Sequence, residues 1–230
     1  MRESISYGNY YNEMLLYTEF CKYWLFSEND LSKAIDYLDK ALGIGSENDI
    51  REVNLLNIFL KKADLLQQLG DFPQAENLVK KAFVLMLEED MEDLTVVNTA
   101  DFKERNSVYY INALKEVANI YRNQFLLTNE REFGDISYHF YDLAVHVFQD
   151  YYQKGAYNPY LKMTASQIHE GLTELYIELD KPDIDSLLVR LENNSSQLIW
   201  REFESKYQHY LSVPDSLLLR HNMLRSELAT

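Results

Sequence analysis

Apolar residues recur at three- and four-residue intervals along almost the whole chain, and few breaks interrupt them. Only 7 Gly and 4 Pro punctuate the 230 residues. A β-sandwich or barrel needs many tight turns, so this scarcity disfavours both and selects long helices with short joints. The spacing predicts helices over 10–26, 31–43, 50–69, 73 to about 90, 104–127, 135–153, 159–179, 183–192, 195–211 and 215–228. Short joints make sequential helices antiparallel. The predicted fold is therefore all-α: ten helices in about five hairpins, one domain over 1–230, with a softer joint near 88–103.

The breaks carry their own chemistry. "SENDLSK" supplies a turn and an N-cap after the first helix, Gly43 and Gly45 are expected to stop the second, and "SEND" at 46–49 offers a further cap. Gly70 can take the left-handed conformation that ends a helix. Pro73 suits the first turn of the next, where no N–H is needed. "TNEREFGD", "KGAYNP", "LDKPD" with Pro182, and "SVPD" mark the later breaks.

Charge limits the partners. A formal charge of −15 opposes nucleic acid and anionic membrane surfaces, since phosphate binding needs a basic footprint. The same field draws in basic proteins and also keeps the chain soluble. A lone Cys21 excludes an internal disulfide framework and a multi-cysteine zinc site. Its neighbours Phe20, Tyr23 and Trp24 mark it as a buried small residue. "MRESISYGNYYNEM" lacks the apolar core of a signal peptide, and no apolar run approaches the roughly 20 residues of a membrane span. A cytoplasmic location is expected, which leaves the sequons at Asn193 and Asn194 without a role.

The stretch "QLGDFPQAENLVKKAF" at 68–83 joins two such helices. Phe59, Ala63 and Leu66 precede it at helical spacing. Ala75, Val79 and Ala82 follow, with Gly70 at the turn. These positions resemble the tetratricopeptide repeat, W-x2-L-G-x2-Y, then A-x3-F, then P, over about 34 residues. Small residues let two helices approach, and bulky neighbours fill the groove beside them. Lys62 and Leu87 depart from the pattern, standing where Leu and the closing Pro are usual. The first hairpin matches with Tyr17, Phe20, Cys21 and Trp24, then Ala34, Leu38 and Ala41. The third gives Leu114, Val117, Ala118 and Tyr121, then Ala144 and Phe148, across a connection that reads as far longer than the family's. The resemblance covers roughly 10–150. Beyond it only the rhythm persists, and Cys21, Ala63 and Ala118 lie 42 and 55 positions apart, so the array is irregular.

The resemblance implies a right-handed α-solenoid whose first helices line a concave, peptide-binding groove. Helical phase then places Asn57, Leu60, Lys61, Asp64 and Gln68 of the second hairpin on the groove, and Tyr109, Asn112, Lys115 and Asn119 of the third. Cys21, Ala34, Ala63, Gly70, Ala75, Ala82, Ala118 and Ala144 become scaffold. Co-chaperone members of the family clamp a terminal carboxylate with Lys, Asn and Arg. Here the matching positions hold Leu60, Asp64 and Gln68, so a basic or amphipathic segment is the expected ligand.

Chemistry leaves fewer traces. No phosphate-binding glycine loop, H-E-x-x-H or G-x-S-x-G motif occurs. His139, Asp142 and His146 share one helix face, a pattern that can bind zinc, but they oppose the Phe140, Leu143, Val147 stripe and read as a solvated polar face. "HEGLTEL" at 169–175 reads as an exposed helix turn, and Glu88 to Asp93 as a solvated acidic loop without calcium-loop spacing. No catalytic residue, metal or cofactor is expected. The leading function is a protein-interaction module of adaptor or scaffold type. A peptide-responsive regulator acting through protein binding, and an enzyme on an α-bundle, are the alternatives. Trp200, Phe203, Tyr207 and Tyr210 could cap the solenoid or form a homodimer face.

Overall fold

A computed structural model describes residues 2–48, 52–103, 108–153, 161–179, 187–189 and 191–192. Within them the fold is all-α, with no strand. Helices α1 (Arg2–Phe26), α2 (Leu31–Glu47), α3 (Glu52–Gln68) and α4 (Phe72–Leu87) are followed by two 3-10 turns (Leu94–Val96 and Thr99–Phe102). Then come α5 (Val108–Thr128), α6 (Arg131–Gln153) and α7 (Leu161–Glu178). Residues 187–189 and 191–192 are also helical. The predicted helices at 195–211 and 215–228, the aromatic cluster around Trp200 and the two sequons lie outside the described residues.

Consecutive helices pair as hairpins, α1 with α2, α3 with α4, and α5 with α6. Between hairpins, α2 packs on α3, and α3 on α5. The helix α5 in turn packs on α7, so α3, α5 and α7 lie side by side. Helix α3 is buried on two sides. Ile58 and Leu65 join Cys21, Ala34, Leu38 and Ala41 of the first hairpin. Leu60, Ala63 and Leu66 join Ala75, Val79, Ala82 and Phe83 of α4 and the core that runs on through α7. The predicted scaffold alanines and Cys21 are all buried, which permits the close helix approach that small residues allow. Burial also pushes the Cys21 thiol up, against the pull of Lys61 and Lys22.

The joints follow local rules. Asp30 caps α2 by accepting the Lys33 N–H at 3.0 Å, and Asp71 caps α4 by accepting from Gln74 N at 3.2 Å. Gly70 has φ of +80° and closes α3. Its N–H donates to Gln67 O at 2.8 Å, and Asp71 N donates to Leu66 O at 2.9 Å, the two bonds of a Schellman turn. At the family's closing-proline position Leu87 is buried, and Glu88, at φ of 62°, ends the helix instead. The other departing residue, Lys62, forms an ion pair with Asp39 of α2 and so links the first two hairpins.

Three expectations need correction. Gly43 and Gly45 do not stop α2, which runs on to Glu47. Gly45 is a contact residue: a Cβ there would meet Leu55 of α3. The residues of "SEND" at 46 and 47 consequently end α2. The third hairpin is not joined by a long connection. Asn129 and Glu130 alone separate α5 from α6, with Asn129 left-handed at φ of 58°. The helices, not the loop, carry the extra length. Gly134 lies within α6, with Phe125 and Leu179 against it. Finally, the first helix begins at Arg2 rather than at residue 10, while of the ten predicted helices those at 195–211 and 215–228 fall outside the described residues.

The 88–103 connection is anchored at three points, since Leu94, Val97 and Phe102 are buried. Asn98 and Asp101 hold its second turn reciprocally. Ala100 N donates to Asn98 Oδ1 at 2.9 Å, and Asn98 N to Asp101 Oδ2 at 2.8 Å. Glu88, Glu89, Asp90, Glu92 and Asp93 are exposed, so the acidic run is solvated.

Candidate functional site

Polar side chains bridge the adjacent helices α3, α5 and α7. Between α3 and α5, Asn123 Nδ2 reaches Asp64 Oδ1 at 3.4 Å, while Gln68 Nε2 donates to Asp64 Oδ2 at 3.1 Å. Deeper in this seam Gln67 Nε2 donates to Gln124 Oε1 at 3.0 Å, both residues buried. Between α5 and α7, Lys115 Nζ donates to Gln167 Oε1 at 2.8 Å, and Thr164 Oγ1 to Asn112 Oδ1 at 2.9 Å. Arg122 pairs with Glu174 at 2.8 Å and Glu178 at 3.1 Å.

A cleft of about 410 Å³ opens along this second seam. Lys115, Glu116, Asn119 and Arg122 of α5 form one wall. Gln167, Glu170 and Glu174 of α7 form the other, with Gly171 and Tyr141 between them. Tyr141 comes from α6 and passes beneath α7, with 1% of its surface exposed. It reaches the cleft only because residue 171 has no side chain. Its hydroxyl donates to Asn119 Oδ1. Burial pushes the phenol up to about 12, with Arg122 pulling the other way, so the cleft floor is a neutral donor at pH 7.

The predicted groove positions divide. Asn112, Lys115 and Asn119 all make bonds at the α5–α7 seam, whereas Tyr109 is exposed and outside the cleft. Asp64 and Gln68 stand at the α3–α5 seam. Asn57 is exposed, and the Lys61 ammonium stands 5.9 Å from the centre of the exposed Phe26 ring at the end of α1. Leu60 is 2% exposed inside the main core, so it contributes packing rather than groove surface. Glu116, Arg122, Asn123, Tyr141 and Gln167 were not singled out by motif or phase, and Glu170, Gly171 and Glu174 belong to the "HEGLTEL" stretch read as an exposed helix turn, where the two glutamates are exposed but Gly171, Leu172 and Leu175 are buried. A signal existed for α7: Gln167, Glu170 and Glu174 recur at three- and four-residue spacing, one polar stripe opposite Ile168, Leu172 and Leu175.

Asp64 is electrostatically unfavourable where it stands. Burial raises its carboxyl, and Glu116 raises it further, against Lys61, Asn123 and Gln68. A carboxyl raised above its unfolded value destabilises the fold fully above the folded pKa and not at all below the unfolded one. Asp64→Asn is therefore expected to raise Tm by about 2 °C at pH 7. The gain should shrink as pH falls toward about 3, where aspartate is protonated in both states. Calorimetry at the two pH values checks this, and an equal gain at both would refute it.

The face of α6 that carries His139, Asp142 and His146 is not simply solvated. The 3-10 turn at Thr99–Phe102 folds back onto α6, and His139 Nε2 lies 2.8 Å from the Val97 carbonyl oxygen. His146 Nε2 stands 3.5 Å from Asp142 Oδ2. With Asn98, Thr99 and Leu143 the three residues line a second cleft of about 250 Å³. The long connection, absent from a regular repeat, is what covers this face. Among the described residues no three His, Cys, Asp or Glu side chains form a group that could hold a metal ion, and no helix is long and apolar enough to cross a membrane.

No protein-family model, curated protein or solved structure matches this chain.

Proposed function

We propose that the chain is a protein-interaction module of adaptor or scaffold type. In this reading it is a right-handed, tetratricopeptide-like stack of hairpins, and its groove along α3, α5 and α7 holds a basic segment of a partner protein. The observation that carries this is the acid-rich cleft between α5 and α7, where two cations, Lys115 and Arg122, face three carboxylates, Glu116, Glu170 and Glu174, with Glu178 beside it also paired to Arg122. Both cations are already in ion pairs, and of their nitrogens only the buried Arg122 Nε keeps no partner among the described residues, so an incoming anion finds little free positive charge, while an incoming cation finds surplus negative charge. The chain-wide charge of −15 adds attraction at longer range. A binding role is favoured over catalysis because the cleft's largest shift, on Tyr141, moves away from neutral pH rather than toward it. A cytoplasmic site of action and a role without cofactor complete the proposal.

The reading is tested by selecting ligands from a random peptide-display library on the immobilised full chain. Selected peptides should be enriched in Lys and Arg, and their affinity should fall steeply as salt rises from about 0.05 to 0.3 M. Selection of neutral or acidic sequences, or binding indifferent to salt, would overturn it.

A further inference from the structure

We propose that the cleft between α5 and α7 seats one arginine side chain of the bound segment, its guanidinium held by the Glu170 and Glu174 carboxylates. This rests on the groove being the binding face, and it names what the groove recognises.

An inventory of donors and acceptors leads there. Gln167 Oε1 already accepts from Lys115, and Asn119 Oδ1 from Tyr141. Glu116 Oε1 takes Lys115 at 2.9 Å, and Glu116 Oε2 takes Asn119 Nδ2 at 3.3 Å. Glu174 Oε2 takes Arg122. Among the described residues the cleft acceptors left without a donor are both oxygens of Glu170 and Oε1 of Glu174. They belong to residues four apart, on one face of α7, where Cβ atoms stand about 6 Å from each other. A carboxylate ligand would add a fourth negative group to the cleft, and the one cationic donor there without a partner among the described residues, Arg122 Nε, is buried. An ammonium brings three donors around a point charge and is satisfied by one carboxylate and water. A guanidinium presents five N–H groups in a plane, enough to engage Glu170 through two of them and Glu174 through another edge. The cleft volume falls within the range of small-ligand sites, about 300–1,000 Å³. Its open, polar walls suit one charged side chain on a longer segment rather than an enclosed apolar molecule.

The test follows amide shifts of the 15N-labelled full chain on titration with N-acetyl-arginine amide, N-acetyl-lysine amide and N-acetyl-citrulline amide. The arginine probe should move amides around Lys115–Arg122 and Glu170–Glu174 and bind at least fivefold tighter than the lysine probe. The citrulline probe, an uncharged isostere, should move none of them. Glu170 is exposed and has no ion pair among the described residues, so Glu170→Gln should keep the wild-type Tm while weakening the arginine probe about five- to tenfold. Equal binding of lysine and arginine would overturn the guanidinium assignment and leave the acidic groove intact. Arginine shifts elsewhere, or unchanged in Glu170→Gln, would overturn the seat. Failure of a six-arginine peptide to move any amide of α3, α5 or α7 would remove the groove reading as well.

Discussion

Phe140→Ala should destabilise the protein by about 3–5 kcal/mol and lower Tm by roughly 10 °C for a chain of this length. Phe140 is fully buried on α6. Its ring centre lies 5.3 Å from that of Phe83 on α4 and 6.2 Å from that of Tyr121 on α5. One side chain therefore ties the second hairpin to the third. Truncation removes its transfer energy and leaves a void whose walls are themselves aromatic and fixed by the core, so collapse into it is limited. Loss of such an interface also weakens cooperativity, because it couples one hairpin to the next. Thermal unfolding should thus become broader as well as earlier. Phe26→Ala is the matched control. That ring is 76% exposed, and its removal should shift stability by no more than about 0.5 kcal/mol. A Tm loss under about 3 °C for Phe140→Ala would show that the hairpins are not coupled through this ring.

The same contrast explains what could be read from the sequence. Helix positions followed from apolar periodicity because burial of one stripe is local information, repeated every turn. The turn at Gly70 and Pro73 was legible for the same reason, since it is set by backbone chemistry within a few residues, whereas the Asp71 cap emerged only from the structure. Gly43 and Gly45 were misread because propensity alone argues for a break. Leu55, from the next helix, packs against Gly45 within α2, and no local rule carries that fact. The groove was half legible. Phase put Asn112, Lys115 and Asn119 on one face of α5, and the structure places that face at the seam with α7. The opposite wall on α7 lay beyond the motif, where only rhythm remained. Tyr141 could not be foreseen at all, since it enters from the second helix of its hairpin through a gap that Gly171 provides. The fold over the His139 face was hidden similarly, because the 94–102 segment packs by Leu94, Val97 and Phe102 without helical period.

Gly171→Ala should cost about 1–2 kcal/mol, a Tm loss of roughly 3–6 °C, and should also weaken the arginine probe. A Cβ at 171 would stand 2.4 Å from the Tyr141 hydroxyl oxygen, 2.5 Å from Cζ and 2.8 Å from Cε1. Alanine gains about 1 kcal/mol of helix propensity over glycine, which offsets part of the overpacking. Gly45 shows why the balance differs. A Cβ there comes equally close to Leu55, but it meets the tip of a half-buried side chain that can rotate aside, so Gly45→Ala should be near neutral. Tyr141 has no such freedom. Its ring is buried and its hydroxyl is held by Asn119, so relief requires that α7 lift from α5 or that the Asn119 bond break. Either movement disturbs the cleft. A double-mutant cycle separates this from general damage. Tyr141→Phe removes the nearest atom of the clash, so Gly171→Ala should cost at least 0.5 kcal/mol less in that background than in wild type. Strict additivity would mean that the glycine serves helix packing alone and that Tyr141 does not depend on it.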